Sequence, residues 1–180
     1  MSLPGLIGRG AVFAAALSAS AAAEGVTIAD FAGQWVGKVT VETLGPSDFP
    51  TSVRDSGVTL TPDAAGGFTL EWSTAKREKG DPEDPIETVQ DTQVVFVPAA
   101  TGGRWRAEGA DPAAGAPLWL ARLEENTLVV SGFVVTAAGE AELQTYRRTL
   151  EDGALGLSYT RVVDGVTTRR ASGALTRFAP

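Results

Sequence analysis

The 180-residue sequence predicts an all-β fold, an antiparallel up-and-down β-barrel of about ten strands, behind a secretion signal. Three observations carry this expectation. Segments rich in Val, Thr, Leu and aromatic residues alternate with Gly, Pro, Asp and Asn almost throughout, the pattern of strands and turns. Beyond the leader, no stretch of about 10 residues repeats its apolar positions at the 3.6-residue period of a helix. Tight turns join consecutive strands into a meander. An open meander leaves two exposed edges, and closure removes them, so a barrel is favoured over a sandwich.

The leader comes first. Arg9, the apolar run Ala11–Leu17 and Ala21-Ala22-Ala23 reproduce the charged, apolar and cleavage regions of a signal peptide. The expected organisation is a signal peptide over 1–23 and one β-barrel domain over 24–180. The apolar run is shorter than the roughly 20 residues of a membrane span, and no Cys follows it as a lipid anchor. A periplasmic or secreted, not membrane-spanning, protein is therefore expected.

One helical turn is expected at Ile28–Phe31. Strands are expected near 34–43, 57–61, 67–74, 91–98, 103–107, 117–123, 127–136, 141–150, 154–163 and 166–177. Asp152-Gly153 and Asp164-Gly165 suit two-residue type I′ hairpins, because Asp and Gly tolerate positive φ. Pro62–Gly66 forms a longer hairpin loop, and Glu125-Asn126 and Ala138-Gly139 mark two more turns. Gly45–Pro50 and the charged stretch Lys76–Pro85 read as loops. The acids at Asp81, Glu83 and Asp84 lack the spacing of an EF-hand and are read as solvated.

Composition excludes several functions. The net charge of −7 makes nucleic acid and anionic membrane poor partners. The charge is uneven, with eleven acids against four bases over 42–91 and six Arg against four acids over 141–180. There is no Cys and no His. Disulfides, thiolate nucleophiles, the Ser-His-Asp triad and the usual zinc or haem ligation are thereby removed. No metal and no cofactor is called for.

Phe31-x-Gly33-x-Trp35 resembles the first-strand signature of the calycin barrels, which include lipocalins and fatty-acid-binding proteins. The resemblance covers seven residues, Phe31 to Gly37, and loosely the meander. It implies that Gly33 and Trp35 are structural, that Trp35 plugs one barrel end, and that a late Arg packs on it. Arg177 is the candidate for that role and Arg161 a second. It also implies an interior suited to a small apolar ligand. Ten strands without Cys place the chain nearer the fatty-acid-binding or nitrobindin-like branch. Haem binding through His does not carry over.

The most promising chemistry lies in the last three strands, where Tyr146-x-Arg148 recurs as Tyr159-x-Arg161. The Asp152-Gly153 turn sets Tyr146 opposite Tyr159, Arg148 opposite Leu157 and Gln144 opposite Arg161. The Asp164-Gly165 turn sets Arg170 opposite Tyr159 and Thr168 opposite Arg161. One face then gathers Tyr146, Arg148, Tyr159, Arg161 and Arg170 with Leu150, Leu155, Leu157, Val163 and Val166. The other carries Thr145, Thr149, Gly156, Ser158, Thr160 and Gly173. The first is more apolar and is assigned to the interior, although one bulge would reverse part of this assignment. Trp72 points inward by its alternation with Glu71 and Ser73.

Arg and Tyr inside an apolar barrel suit a carboxylate or phosphate head group. Equally, these residues form surface cation–π pairs, or lie inside paired with an acid such as Glu142. The expected function is an exported, non-enzymatic barrel that binds a small hydrophobic or amphipathic molecule, anionic ones included, through Tyr146, Arg148, Tyr159, Arg161, Arg170 and Trp72. The alternatives are a structural or protein-interaction module with a filled barrel, and a calycin-type isomerase or cyclase. No catalytic residue is assigned.

Overall fold

A computed structural model describes residues 25–46, 50–77 and 87–178 of the chain. The leader over 1–23 and the charged stretch beyond Arg77, Asp81, Glu83 and Asp84 included, lie outside the described residues.

A 3₁₀ turn at Ile28–Phe31 precedes β1 (Gly33–Thr43), β2 (Thr51–Pro62), β3 (Phe68–Arg77), β4 (Glu87–Pro98) and β5 (Arg104–Ala107). A second short 3₁₀ turn, Pro112–Ala114, leads to β6 (Leu118–Glu124), β7 (Thr127–Val135), β8 (Ala141–Glu151), β9 (Ala154–Val163) and β10 (Val166–Arg177). Each strand pairs antiparallel with its sequence neighbours, and β1 pairs with β10 to close the barrel. The fold is the up-and-down barrel expected. Closure pairs β1 from Trp35 to Thr43 with Arg177 back to Arg169.

The turn chemistry explains the register. Asp152 and Gly153 have φ of 37° and 86°, and Asp164 and Gly165 have φ of 45° and 80°. Two successive positive φ values define the type I′ turn, whose twist matches that of the flanking strands. β8 and β9 accordingly pair as expected, with Tyr146 opposite Tyr159 and Arg148 opposite Leu157.

The β9–β10 register departs from expectation. It begins at Val166 opposite Val163 but shifts between Thr167 and Arg169, so that Arg169 faces Arg161 and Ala171 faces Tyr159. Thr168 is the extra residue of a β-bulge. Its carbonyl accepts from the Leu44 N–H at 2.9 Å on the β1 side, and on the β9 side its hydroxyl donates to the Arg161 carbonyl at 3.4 Å. One added residue reverses every later side chain. Arg170, expected inside, is therefore exposed and opposite Thr160, while Gly173, expected outside, shares the inward row of Ala171 and Leu175. Val166, also assigned to the interior, is 64% exposed at the strand start.

Three strands extend past their expected ends. β2 starts at Thr51 rather than 57, β3 runs to Arg77, and β4 starts at Glu87 rather than 91. All three extensions lie at one end of the barrel. There, inward positions such as Arg54 and Ser56 do not meet the packed core, and the apolar alternation that marks a strand stops before the strand does.

The opposite end is filled. Phe68 stacks on Phe96 at 4.8 Å between ring centres, and Trp105 meets Phe68 edge-on at 5.3 Å. Leu60, Leu70, Leu128, Leu155 and Leu175 are completely or almost completely buried in the same cluster. The first 3₁₀ turn caps this end. Trp35 is buried and donates its indole N–H to the Phe31 carbonyl at 3.0 Å. Arg177 lies over the Trp35 ring at 4.4 Å and donates to the carbonyls of Ala32 (2.7 Å) and Asp30 (3.1 Å). Gly33 adopts φ +109°, and a Cβ there would sit 3.3 Å from an Arg177 Nη. Backbone conformation and the closeness of the guanidinium both favour glycine at this position.

Candidate functional site

β8 alternates Glu142, Gln144, Tyr146 and Arg148 toward the interior, and β9 does so with Leu157, Tyr159 and Arg161. Trp72 joins them from β3. All of these except Glu142 wall a chamber of about 760 Å³ that occupies the half of the barrel opposite the Trp35 plug. Val39, Val58, Leu157 and Ala171 supply apolar surface, and Arg54, Arg148, Arg161 and Arg169 supply guanidinium groups. Asp91 is the one carboxylate residue among its described lining residues.

Arg148 sits at the deep end, level with Leu128 and Leu157. It is 1% exposed. Its guanidinium carbon lies 5.1 Å from the Tyr146 ring centre and 5.4 Å from that of Trp72. Nε, Nη1 and Nη2 have no hydrogen-bond partner among the described residues. Ring faces supply some attraction to a cation, but no lone pair takes its five N–H groups. Burial pulls its pKa down to about 10, so the group still carries its charge at neutral pH. An unpaired buried ion costs several kcal/mol.

Arg161 is placed differently. Its Nη2 meets a Glu142 carboxylate oxygen at 2.5 Å, and the Glu142 side chain is 8% exposed. Gln144 donates to Glu142 at 2.7 Å and accepts from the Tyr146 hydroxyl at 3.1 Å. Tyr146, Gln144, Glu142 and Arg161 thus form one connected chain of hydrogen bonds. The bond from Arg161 holds the Glu142 carboxyl below its ordinary range. Arg161 therefore follows the alternative reading, an interior cation paired with Glu142, and does not lie on Trp35. Tyr146 and Tyr159 rings lie 4.6 Å apart, and burial raises both phenol pKa values.

Trp72 is buried and packs edge-on against Trp119 at 5.3 Å. Trp119 fits because residue 132 is glycine, where any Cβ would collide with the indole ring. Of the six residues expected to meet a ligand, Trp72, Tyr146, Arg148, Tyr159 and Arg161 line the chamber and Arg170 does not. The bulge substitutes Arg169 for it.

Arg54 and Arg169 escaped the sequence reading. Burial and the neighbouring Arg169 both lower the Arg54 pKa, and the Nε of Arg169 is buried without a partner among the described residues. Arg54 shares its parity with Ser56, Val58 and Leu60, so a strand drawn six residues earlier reveals it. The signal for Arg169 is hidden by the bulge.

No known family model matches the chain, and no curated protein does. Among solved structures, the chain is similar to a protein of unknown function from the DUF3598 family of Nostoc punctiforme, at a TM-score of 0.56 and 15% identity. The match covers 86% of this chain and 50% of that one, so the chain spans about half the length of its structural relative. At this identity the likeness concerns the barrel fold alone.

Proposed function

We propose that this protein is an exported, calycin-like barrel that binds a small amphipathic molecule with an anionic head, seated on Arg148. One observation carries the reading: a fully buried, charged guanidinium with no acceptor among the described residues faces a chamber of about 760 Å³. That volume falls within the roughly 300–1,000 Å³ of small-molecule sites. A carboxylate, sulfate or phosphate oxygen pair fits the planar fork of Arg, and the bond is charge-assisted. The cation-rich mouth, with Arg54 and Arg169, steers anions inward. The chamber speaks against a barrel filled throughout. Export rests on the signal-peptide pattern of residues 1–23.

The test is native mass spectrometry and solvent extraction of protein purified without detergent. The expected result is a co-purified acidic lipid or acid metabolite in the wild type that Arg148→Met no longer retains. An empty wild type that also fails to take up added alkyl carboxylates would sink the proposal.

A further inference from the structure

The barrel wall has a gap. β4 pairs with β3 along its length, from Phe96 back to Glu87. On its other side it pairs with β5 only at Phe96, Val97 and Pro98. β5 is four residues long, and the chain then leaves the wall through residues 108–117 before β6 begins. Above Phe96, the second edge of β4 meets no strand among the described residues. A side opening of about 600 Å³ lies there. It touches both the inward residues Thr92 and Val94 and the outward residues Gln93 and Val95. The space runs along the unpaired edge of β4.

The far wall of this slot is apolar and made largely of small groups: Ala107, Ala110, Ala116, Pro117 and Trp119. The slot and the Arg148 chamber have Trp72, Thr92, Gln144 and Tyr146 in common. The Trp72–Tyr146 pair, whose rings contact Arg148, thus borders both spaces.

We infer that the ligand lies sideways in the barrel, with its anionic head on Arg148 and a single apolar tail running out through the slot between β4 and residues 108–117. This rests on the reading of Arg148 as an anion seat and names the ligand class as a long single-chain amphiphile. The direction follows from the two exits. A tail directed through the mouth would lie among Arg54, Arg161 and Arg169 and strip water from them, whereas the slot offers aliphatic and indole surface. The charged residue that lines the slot is Glu108, paired with Arg106 at 3.6 Å. Both side chains are more than half exposed, so the slot offers an anionic head no buried cation comparable to Arg148.

The experiment uses straight-chain carboxylates of increasing length, titrated into the delipidated protein by calorimetry. Each tail carbon buried in the slot strengthens binding, on the order of tenfold for every two carbons. Ala116→Trp places an indole in the slot from an exposed position, and it should abolish most of that length dependence. Arg148→Met should weaken binding at every length instead. A length dependence in Ala116→Trp equal to the wild type overturns the lateral path while leaving the Arg148 reading intact; absence of binding at every length in the wild type overturns both. Carboxylates brominated at the terminal carbon give an independent readout. Their quenching of intrinsic fluorescence should fall in Trp119→Phe and not in Trp105→Phe, and the opposite pattern contradicts the path.

Discussion

Two arginines in this barrel stack on tryptophans, and they differ in everything else. Arg177 covers Trp35 at the plugged end, is exposed, and donates to two backbone carbonyls. Arg148 rests between Trp72 and Tyr146 in the chamber, is 1% exposed, and has no acceptor among the described residues. The ring contact is common to both, so the acceptors are what set them apart. Arg177 completes the fold, tying the chain end to the turn before β1. Arg148 costs the fold stability, and the proposed anionic ligand would supply the oxygen atoms it lacks.

The contrast can be broken at each end. The largest effect is expected at Arg148, where Met keeps the length and removes the charge. Loss of a bidentate, charge-assisted pair in a buried site should weaken binding of an alkyl carboxylate about 100-fold, or roughly 3 kcal/mol. Calorimetric titration checks it. At the other end, Arg177→Met should lower unfolding stability by about 2 kcal/mol through two lost hydrogen bonds and the ring contact. It should leave the affinity for the same carboxylate within a factor of two. A denaturant series measured beside the titration separates the two arginines.

A smaller effect is expected at Glu142, the acid that satisfies Arg161. Its carboxyl is held below the unfolded value of about 4.5, mainly by the Arg161 hydrogen bond. In the folded state the proton is therefore bound less tightly than in the unfolded chain. The resulting stabilisation is full above that value and is lost as pH falls through the folded pKa. Glu142→Gln should lower the melting temperature near pH 7 by about 3 °C, and the gap from wild type should close under acid conditions. A gap that stays constant from pH 7 to pH 3 would mean that the Glu142–Arg161 pair contributes no net charge attraction.

How much was legible in the sequence varied with the kind of interaction that fixes each part. The β8–β9 pairing depends on one two-residue turn, and Asp152-Gly153 announces that turn through residues that tolerate positive φ. The approach of Tyr146 to Tyr159 followed from it by counting. The β9–β10 pairing depends on Thr168, and nothing in Thr167-Thr168-Arg169-Arg170 says which residue the ladder will skip. The β1 ladder runs past it unbroken, with Thr43 facing Arg169 and the Leu44 N–H, more than 120 residues away, taking the Thr168 carbonyl. Arg54 was hidden for another reason. Its strand continues past the packed core, and apolar periodicity reports burial rather than backbone conformation. The state of Arg148 was not legible at all. Its neighbours could be counted from the register, but the absence of an acceptor depends on side chains from β3, β7 and β9 meeting in space.

The most direct test compares thermal unfolding of the delipidated wild type and Arg148→Met, each with and without a saturating long-chain carboxylate. Replacing a buried unpaired ion by an apolar group of similar size relieves its desolvation cost. Because burial lowers the folded-state pKa to about 10, below the ordinary guanidinium range, that cost is fully present below about pH 10 and is relieved as pH rises above it. At pH 7 the empty variant should therefore be more stable than the empty wild type, by about 2 kcal/mol. With ligand the order should reverse, because only the wild type gains from binding. An empty variant less stable than the empty wild type would contradict the account, since Arg148 would then be satisfied by the folded chain itself.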